Sequence, residues 1–90
     1  MYKIVLVTTK GCEACTIAED NITAAVAQSS VDVDIIVKDF HEFSKKEEKL
    51  YKLRDYPTAL YFVDGKVVYT AVGTYPIPVY LRWIDVYFKN

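Results

Sequence analysis

Tyr2 to Thr8 (YKIVLVT) is a nearly unbroken apolar run rich in β-branched residues. That pattern predicts a strand covered on both faces, as in a parallel sheet. Gly11 interrupts it, and the period then changes. Cys15, Ala18, Ile22, Ala25 and Val26 recur at helical spacing on one face, with Glu13, Glu19, Asp20 and Gln28 on the other, until Ser29 and Ser30 end the helix. Val31 to Val37 (VDVDIIV) alternates with period two and predicts a second strand. Lys38 to Phe43 reads as a loop. Ser44 followed by Glu47 is a capping-box pattern, opening a helix of roughly Lys45 to Arg54 with Leu50 and Leu53 turned inward. Pro57 precedes a third apolar run, TALYFV, and KVVYTA returns after Asp64-Gly65. That dipeptide suits a type I′ turn, whose two central positions both need positive φ, so Thr58 to Ala71 is a hairpin. Gly73 closes it. Pro76 or Pro78 then fits the first turn of a last helix, where a missing N–H costs nothing.

The order is therefore β-α-β-α-β-β-α, an α/β class fold in one domain spanning residues 1–90. The first two strands, joined through a helix, are expected to be parallel with a right-handed crossover. The hairpin adds an antiparallel pair, which makes a four-stranded mixed sheet flanked by three helices on its two faces. The last helix is apolar almost all round. Ile77, Leu81, Ile84 and Phe88 form one stripe, Tyr80, Trp83 and Tyr87 a second, and only Arg82, Asp85 and Lys89 keep a narrow polar line. The favoured reading has tyrosines straddling the core boundary with the ring buried and the hydroxyl wet. The other is an aromatic patch at Tyr80, Trp83 and Tyr87 for a partner or a second copy; the expectation is a monomer.

Composition narrows the classes. Eleven basic and twelve acidic residues give a formal charge of −1, which argues against a nucleic-acid footprint. No apolar run approaches the roughly 18–20 residues that span a bilayer. The start of the chain reads as a strand and is too short for a secretory signal. A cytoplasmic protein follows as the expectation, and there a permanent structural disulfide is unusual. The two cysteines, Cys12 and Cys15 in KGCEAC, then lean towards catalysis or metal. Zinc wants four ligands, and the chain offers those two and the single His41, which itself reads as a solvent-facing loop residue. A dimer sharing two such pairs, or two inert core cysteines, stay open on spacing alone.

Strand, CxxC at a helix start, second strand, then Tyr56-Pro57-Thr58 before a glycine-turned hairpin and Gly73: this layout resembles the thioredoxin superfamily. LYKLRDYPTALYFVDGKVVYTAVGTYP is similar to the carboxy-terminal half of thioredoxin itself, and the size is closer to a glutaredoxin. The resemblance covers essentially the whole chain, without the strand and helix that thioredoxins carry before the core. It implies a thiol-disulfide oxidoreductase acting on protein disulfides, with Cys12 and Cys15 catalytic and no bound cofactor. It also implies recycling by a thioredoxin-reductase-type protein or by a small thiol such as glutathione. A cis Tyr56-Pro57 bond is implied too, with Gly11, Tyr56, Pro57, Gly73, Thr74 and Tyr75 lining a substrate groove where the Tyr56 backbone pairs with an extended chain. Pro57 alone also fits a plain strand-start proline.

The chain departs from the family motifs in places. Gly11 precedes the first cysteine and Glu13-Ala14 separates the pair, where thioredoxins carry Trp-Cys-Gly-Pro-Cys. Leu6 stands where they have a buried carboxylate, while Lys38 matches its lysine neighbour and could act beside Cys15. Against glutaredoxins, Thr9 replaces a lysine and VGTYP replaces a Gly-Gly-x-Asp pattern. The alternatives are therefore a glutathione-dependent reductase and a non-catalytic partner-binding module.

The chemistry of the motif can be argued from the residues. Disulfide exchange needs a thiolate attacker, a second thiol to release the mixed disulfide, and a reason for the first thiol to ionise. A cysteine at a helix N-terminus meets unpaired N–H groups and the positive end of the dipole, which lower its pKa from about 8.5. Cys12 is then the exposed nucleophile. Cys15, one turn further in beside Ala18 and Ile22, is the shielded resolving thiol. Lys10 adds positive charge and Glu13 opposes it, so a moderate depression is expected.

Overall fold

The computed structural model describes residues 1–88. Its central strand is β1, Tyr2–Thr8, in which Ile4, Val5, Leu6 and Val7 are all buried. Its central place in the sheet order β2-β1-β3-β4 pairs both its edges, and a core on each face buries Ile4 and Leu6 on one side and Val5 and Val7 on the other. Helix α1, Glu13–Gln28, buries the predicted stripe Cys15, Ala18, Ile22 and Ala25, and Ser29 caps its C-terminus.

Strand β2, Val33–Asp39, starts two residues later than the alternation predicted and ends two residues later. Val31 is held in the turn, its N–H donating to the Ser29 hydroxyl at 3.0 Å. Pairing is parallel and complete, from Tyr2 opposite Val33 to Thr8 opposite Asp39. Lys38 and Asp39 thus extend the strand instead of opening a loop. Asp39 then ends it by capping a short 3-10 turn, Phe40–Glu42: its carboxylate accepts the His41 N–H at 2.9 Å, and Glu42 accepts the Asp39 N–H at 2.8 Å.

Helix α2, Lys45–Leu50, begins at the expected capping box, with the Ser44 hydroxyl accepting from Glu47 N–H and the Glu47 carboxylate from Ser44 N–H. It is four residues shorter than predicted. Lys52 takes φ 55°, and the Leu53 N–H donates to the Glu48 carbonyl at 2.9 Å while the Lys52 N–H donates to the Lys49 carbonyl at 3.3 Å. This is a Schellman ending built on lysine. It swings Leu53 into the core at 7% exposure and leaves Leu50 outward at 69%, correcting the inward placement of Leu50.

Strands β3, Thr58–Val63, and β4, Lys66–Val72, form the hairpin, turned by Asp64 at φ 49° and Gly65 at φ 85°. One residue is extra: Tyr61 faces Tyr69 but Phe62 faces Val67, so Val68 forms a bulge. The bulge switches faces, turning Val67 to one side of the sheet and Tyr69 and Ala71 to the other. Helix α3, Ile77–Phe88, starts from the Pro76 carbonyl, which accepts the Val79 N–H at 3.0 Å, with Pro78 inside the first turn.

Helices α1 and α3 cover one face, where Leu6, Ile22, Tyr61, Tyr80, Ile84 and Phe88 pack; on the other, the segments flanking α2 bring Phe43, Tyr51 and Leu53 over Val5, Val7, Leu60 and Phe62. The aromatic stripe of α3 largely serves this packing. Tyr80 is fully buried, which removes it from any partner surface. Trp83 and Tyr87 lie against Tyr69 of β4, with ring centroids at 4.9 and 4.6 Å. Lys89 of the predicted polar line lies outside the described residues.

Candidate active site

The end of β1 hands the chain to α1 through a tight turn. Gly11 sits there at φ 73°, with open space where a side chain would go, so glycine is required by backbone conformation and not by room. Cys12 is the N-cap of α1, in extended geometry, and its Sγ accepts the Cys15 N–H at 3.0 Å. Cys12 and Cys15 are joined by a disulfide, with their Cα atoms 5.2 Å apart. Cys12 is half-buried, while Cys15 is only 5% exposed. The sulfur that meets solvent is therefore also the one that meets the helix N-terminus. Both cysteines line an open cleft of about 480 Å³, together with Thr8, Thr9, Gly11, Glu13, Thr16, Glu19 and Val37.

Two further loops reach this end of the sheet. Thr58 pairs with Val7 on one side and Val72 on the other, so the start of β3 and the end of β4 lie beside the end of β1. The Tyr56–Pro57 peptide bond is cis, and the buried Pro57 accepts the Gly73 N–H through its carbonyl at 2.8 Å. The Thr74 hydroxyl donates to the Ala14 carbonyl at 2.9 Å, which ties the loop after β4 to the residue between the cysteines. Tyr75 is held by three elements: its N–H donates to the Tyr80 hydroxyl of α3, its carbonyl accepts from Asn21 of α1, and its hydroxyl donates to the Val72 carbonyl at the end of β4. The Tyr56 ring lies 5.3 Å from Phe40, and burial, then the charges of Glu48, Asp39 and Asp55, push its pKa up.

Charge at the site is uneven. Glu13 and Glu19 are exposed, and neither has an ion-pair partner among the described residues. Lys10 acts on Asp39, whose carboxyl is held below its ordinary value by the His41 N–H first, then by the His41 ring, with Lys10 contributing last. His41 itself is exposed, its Nδ1 2.8 Å from Asp39. Among the described residues no group of three or more His, Cys, Asp or Glu side chains is placed to hold a metal ion.

Comparison with known proteins is decided by structure. No family model matches the chain, and no curated protein matches it in sequence. Solved structures do. A thioredoxin point mutant from Halobacterium salinarum superposes with a TM-score of 0.82 at 21% identity, over 99% of this chain and 76% of that one. Thioredoxin-2, described as a component of the malaria parasite protein secretion machinery, gives 0.80 at 10% identity over 97% and 84%. A further malarial protein gives 0.77 at 10% identity over 96% of each chain. The chain has the thioredoxin fold.

Within this thioredoxin fold, one expectation about the site is corrected. Lys38 does not stand beside Cys15. It pairs with Val7 on the α2 face, its Nζ 4.5 Å from the Phe43 ring centroid, while Cys15 lies on the α1 face. The strand alternation decides this, because Val37, not Lys38, shares a register position with Leu6. The pair that thioredoxins fill with a carboxylate and a lysine is thus apolar here on its strand side. Of the residues lining the cleft, Thr8, Thr16, Glu19 and Val37 were not expected at the site, and Thr9 entered only as a departure from the glutaredoxin pattern. A signal existed for part of the set: Glu13, Thr16 and Glu19 recur every three residues, which aligns them along one side of α1.

Proposed function

We propose that this protein is a thiol-disulfide oxidoreductase that reduces protein disulfides through a Cys12–Cys15 dithiol. One observation carries the reading. The two cysteines are bonded at the N-terminus of α1, with Cys12 partly open and in contact with a helix N–H and Cys15 shielded behind it. In the dithiol state the same N–H and the helix dipole favour the Cys12 thiolate. That thiolate attacks a substrate disulfide, forming a Cys12–substrate bond and expelling one substrate thiolate. Cys15 then attacks the Cys12 sulfur, expels the second substrate thiolate and closes the Cys12–Cys15 disulfide. Two electrons pass to the substrate, and the released thiolates take up the protons. Leu6 is buried where a proton-accepting carboxylate would stand, so the Cys15 proton leaves through the cleft that Cys15 helps to line.

The dithiol is restored by an external reductase or a small thiol in a reducing compartment such as the cytosol. No helix among the described residues is long and apolar enough to cross a membrane. Recycling by glutathione is the less supported route, because among the described residues the cleft wall holds two glutamates and no lysine or arginine.

The equilibrium potential of the couple in graded dithiol buffers tests the assignment. A value of about −230 to −280 mV is expected for a reductase, and one above about −180 mV would mark an oxidant or isomerase instead. Cys12→Ser is expected to abolish turnover of a protein disulfide. Turnover that survives the substitution, or the absence of any reversible couple, rejects the enzyme reading.

A further inference from the structure

We infer that the cleft beside the cysteines selects its substrate by charge, taking disulfides flanked by cationic groups over anionic ones. The inference rests on the dithiol chemistry proposed above and adds the substrate class. Among the described residues, Glu13 and Glu19 are the only charged ones that line the cleft with the two cysteines. Both are exposed, and neither is paired among the described residues. The cations expected to offset them do not line this wall. Lys10 is exposed and makes no ion pair with either glutamate, and Lys38 lies over Phe43 on the far face of the sheet.

The positive end of α1 opposes this field but does not cancel it. A helix N-terminus is equivalent to about half an elementary charge, against two full carboxylates. Its Cys15 N–H is moreover already bonded to the Cys12 sulfur. Three threonines, Thr8, Thr9 and Thr16, also line the wall, and a threonine hydroxyl can accept from an ammonium or guanidinium. A substrate whose reacting disulfide sits beside lysine or arginine meets complementary charge, whereas one carrying free carboxylates meets repulsion. Charges in a cleft act mainly on encounter, so the effect belongs to the association rate and weakens with salt.

The step needs no further co-reactant. Each small disulfide gives up its S–S bond to the protein dithiol, leaving two reduced thiols and an oxidised Cys12–Cys15 pair. The test follows the reduced protein reacting with three disulfides: cystamine, a dication; bis(2-hydroxyethyl) disulfide, neutral; and oxidised glutathione, a dianion. Acid-quenched samples are read by intact mass. The quantity of interest is the ratio of the cystamine rate to the glutathione-disulfide rate, each normalised to the neutral compound. The ratio cancels any change in the reactivity of Cys12 itself. In the double variant Glu13→Gln with Glu19→Gln the ratio is expected to fall about tenfold, with a fall in the same direction for the unsubstituted protein in high salt. Each single variant should lie between. Reaction with the neutral disulfide together with a ratio that moves less than about twofold on substitution overturns the charge selection and leaves the dithiol chemistry standing. No reaction with any of the three, the neutral one included, overturns the dithiol chemistry and the selection with it.

Discussion

At the scale of single residues, the site divides labour between two sulfurs by depth. Cys12 caps the helix and touches the cleft, and Cys15 is 5% exposed one turn in. That asymmetry predicts different traps. With Cys15→Ser, a disulfide substrate is expected to remain bound to Cys12 as a mixed disulfide, visible as an added mass that a reductant removes. With Cys12→Ser no adduct should form, because the remaining thiol is buried. An adduct on Cys15 in that variant would reverse the assignment of roles. This much of the site was legible in sequence, since attacker and resolver follow from their order at a helix start. Lys38 was not legible. Whether a strand residue faces one side of a sheet or the other turns on register, and the two-residue shift of β2 moved Lys38 out of its expected loop and onto the α2 face. The Thr74 bond to Ala14, sixty residues apart in the chain, left no local trace either.

At the scale of elements, legibility follows how local the determining chemistry is. The type I′ turn at Asp64-Gly65 and the Ser44–Glu47 capping box lie within four residues each, and both appear as read. The end of α2 was missed because a Schellman ending usually announces itself with glycine, and here Lys52 occupies the left-handed position. A lysine there carries a steric cost of roughly 1–2 kcal/mol, partly offset because glycine loses more entropy on folding. Lys52→Gly should therefore stabilise the protein by about 0.5–1 kcal/mol, seen as a higher urea midpoint at unchanged slope. The same geometry separates two leucines that the helical pattern had placed together. Leu53→Ala is expected to cost about 2–5 kcal/mol as a core truncation, whereas Leu50→Ser should change stability by less than about 0.5 kcal/mol. Equal effects at the two positions would mean that α2 continues to Arg54 after all.

At the scale of the whole molecule, the two faces of the sheet are built differently: the α1–α3 face buries the tyrosines Tyr61 and Tyr80, and the other face buries the phenylalanines Phe43 and Phe62. Tyr61 sits at the centre of the α1–α3 face with no exposure, its hydroxyl donating to the Tyr80 carbonyl at 3.3 Å, and Tyr80 in turn donates to the Gly73 carbonyl. The helical stripe of α3 was legible, but which of its aromatics are core was not. That depended on the Val68 bulge, which turns Tyr69 towards α3 and gives Trp83 and Tyr87 a surface to cover. This packing has a pH consequence. Burial, and then the neighbouring Tyr80 and Tyr69, push the Tyr61 pKa far above the ordinary value of 10.0, and burial raises Tyr80 as well. In the folded state these hydroxyls keep their protons, whereas in the unfolded chain they lose them near pH 10. Because the unfolded state then binds fewer protons, stability is fully present below pH 10 and falls as pH rises above it, by up to about 1.4 kcal/mol per pH unit for each such tyrosine. Other groups also titrate there, so the comparison that isolates the effect is with Tyr61→Phe. Truncating one hydroxyl lowers neutral stability modestly, and above pH 10 the variant should lose stability less steeply than the unsubstituted protein, by close to one proton. Urea midpoints measured across that range decide it. Parallel pH profiles for the two proteins would mean that Tyr61 ionises in the folded state, and that α3 does not seal this face of the sheet.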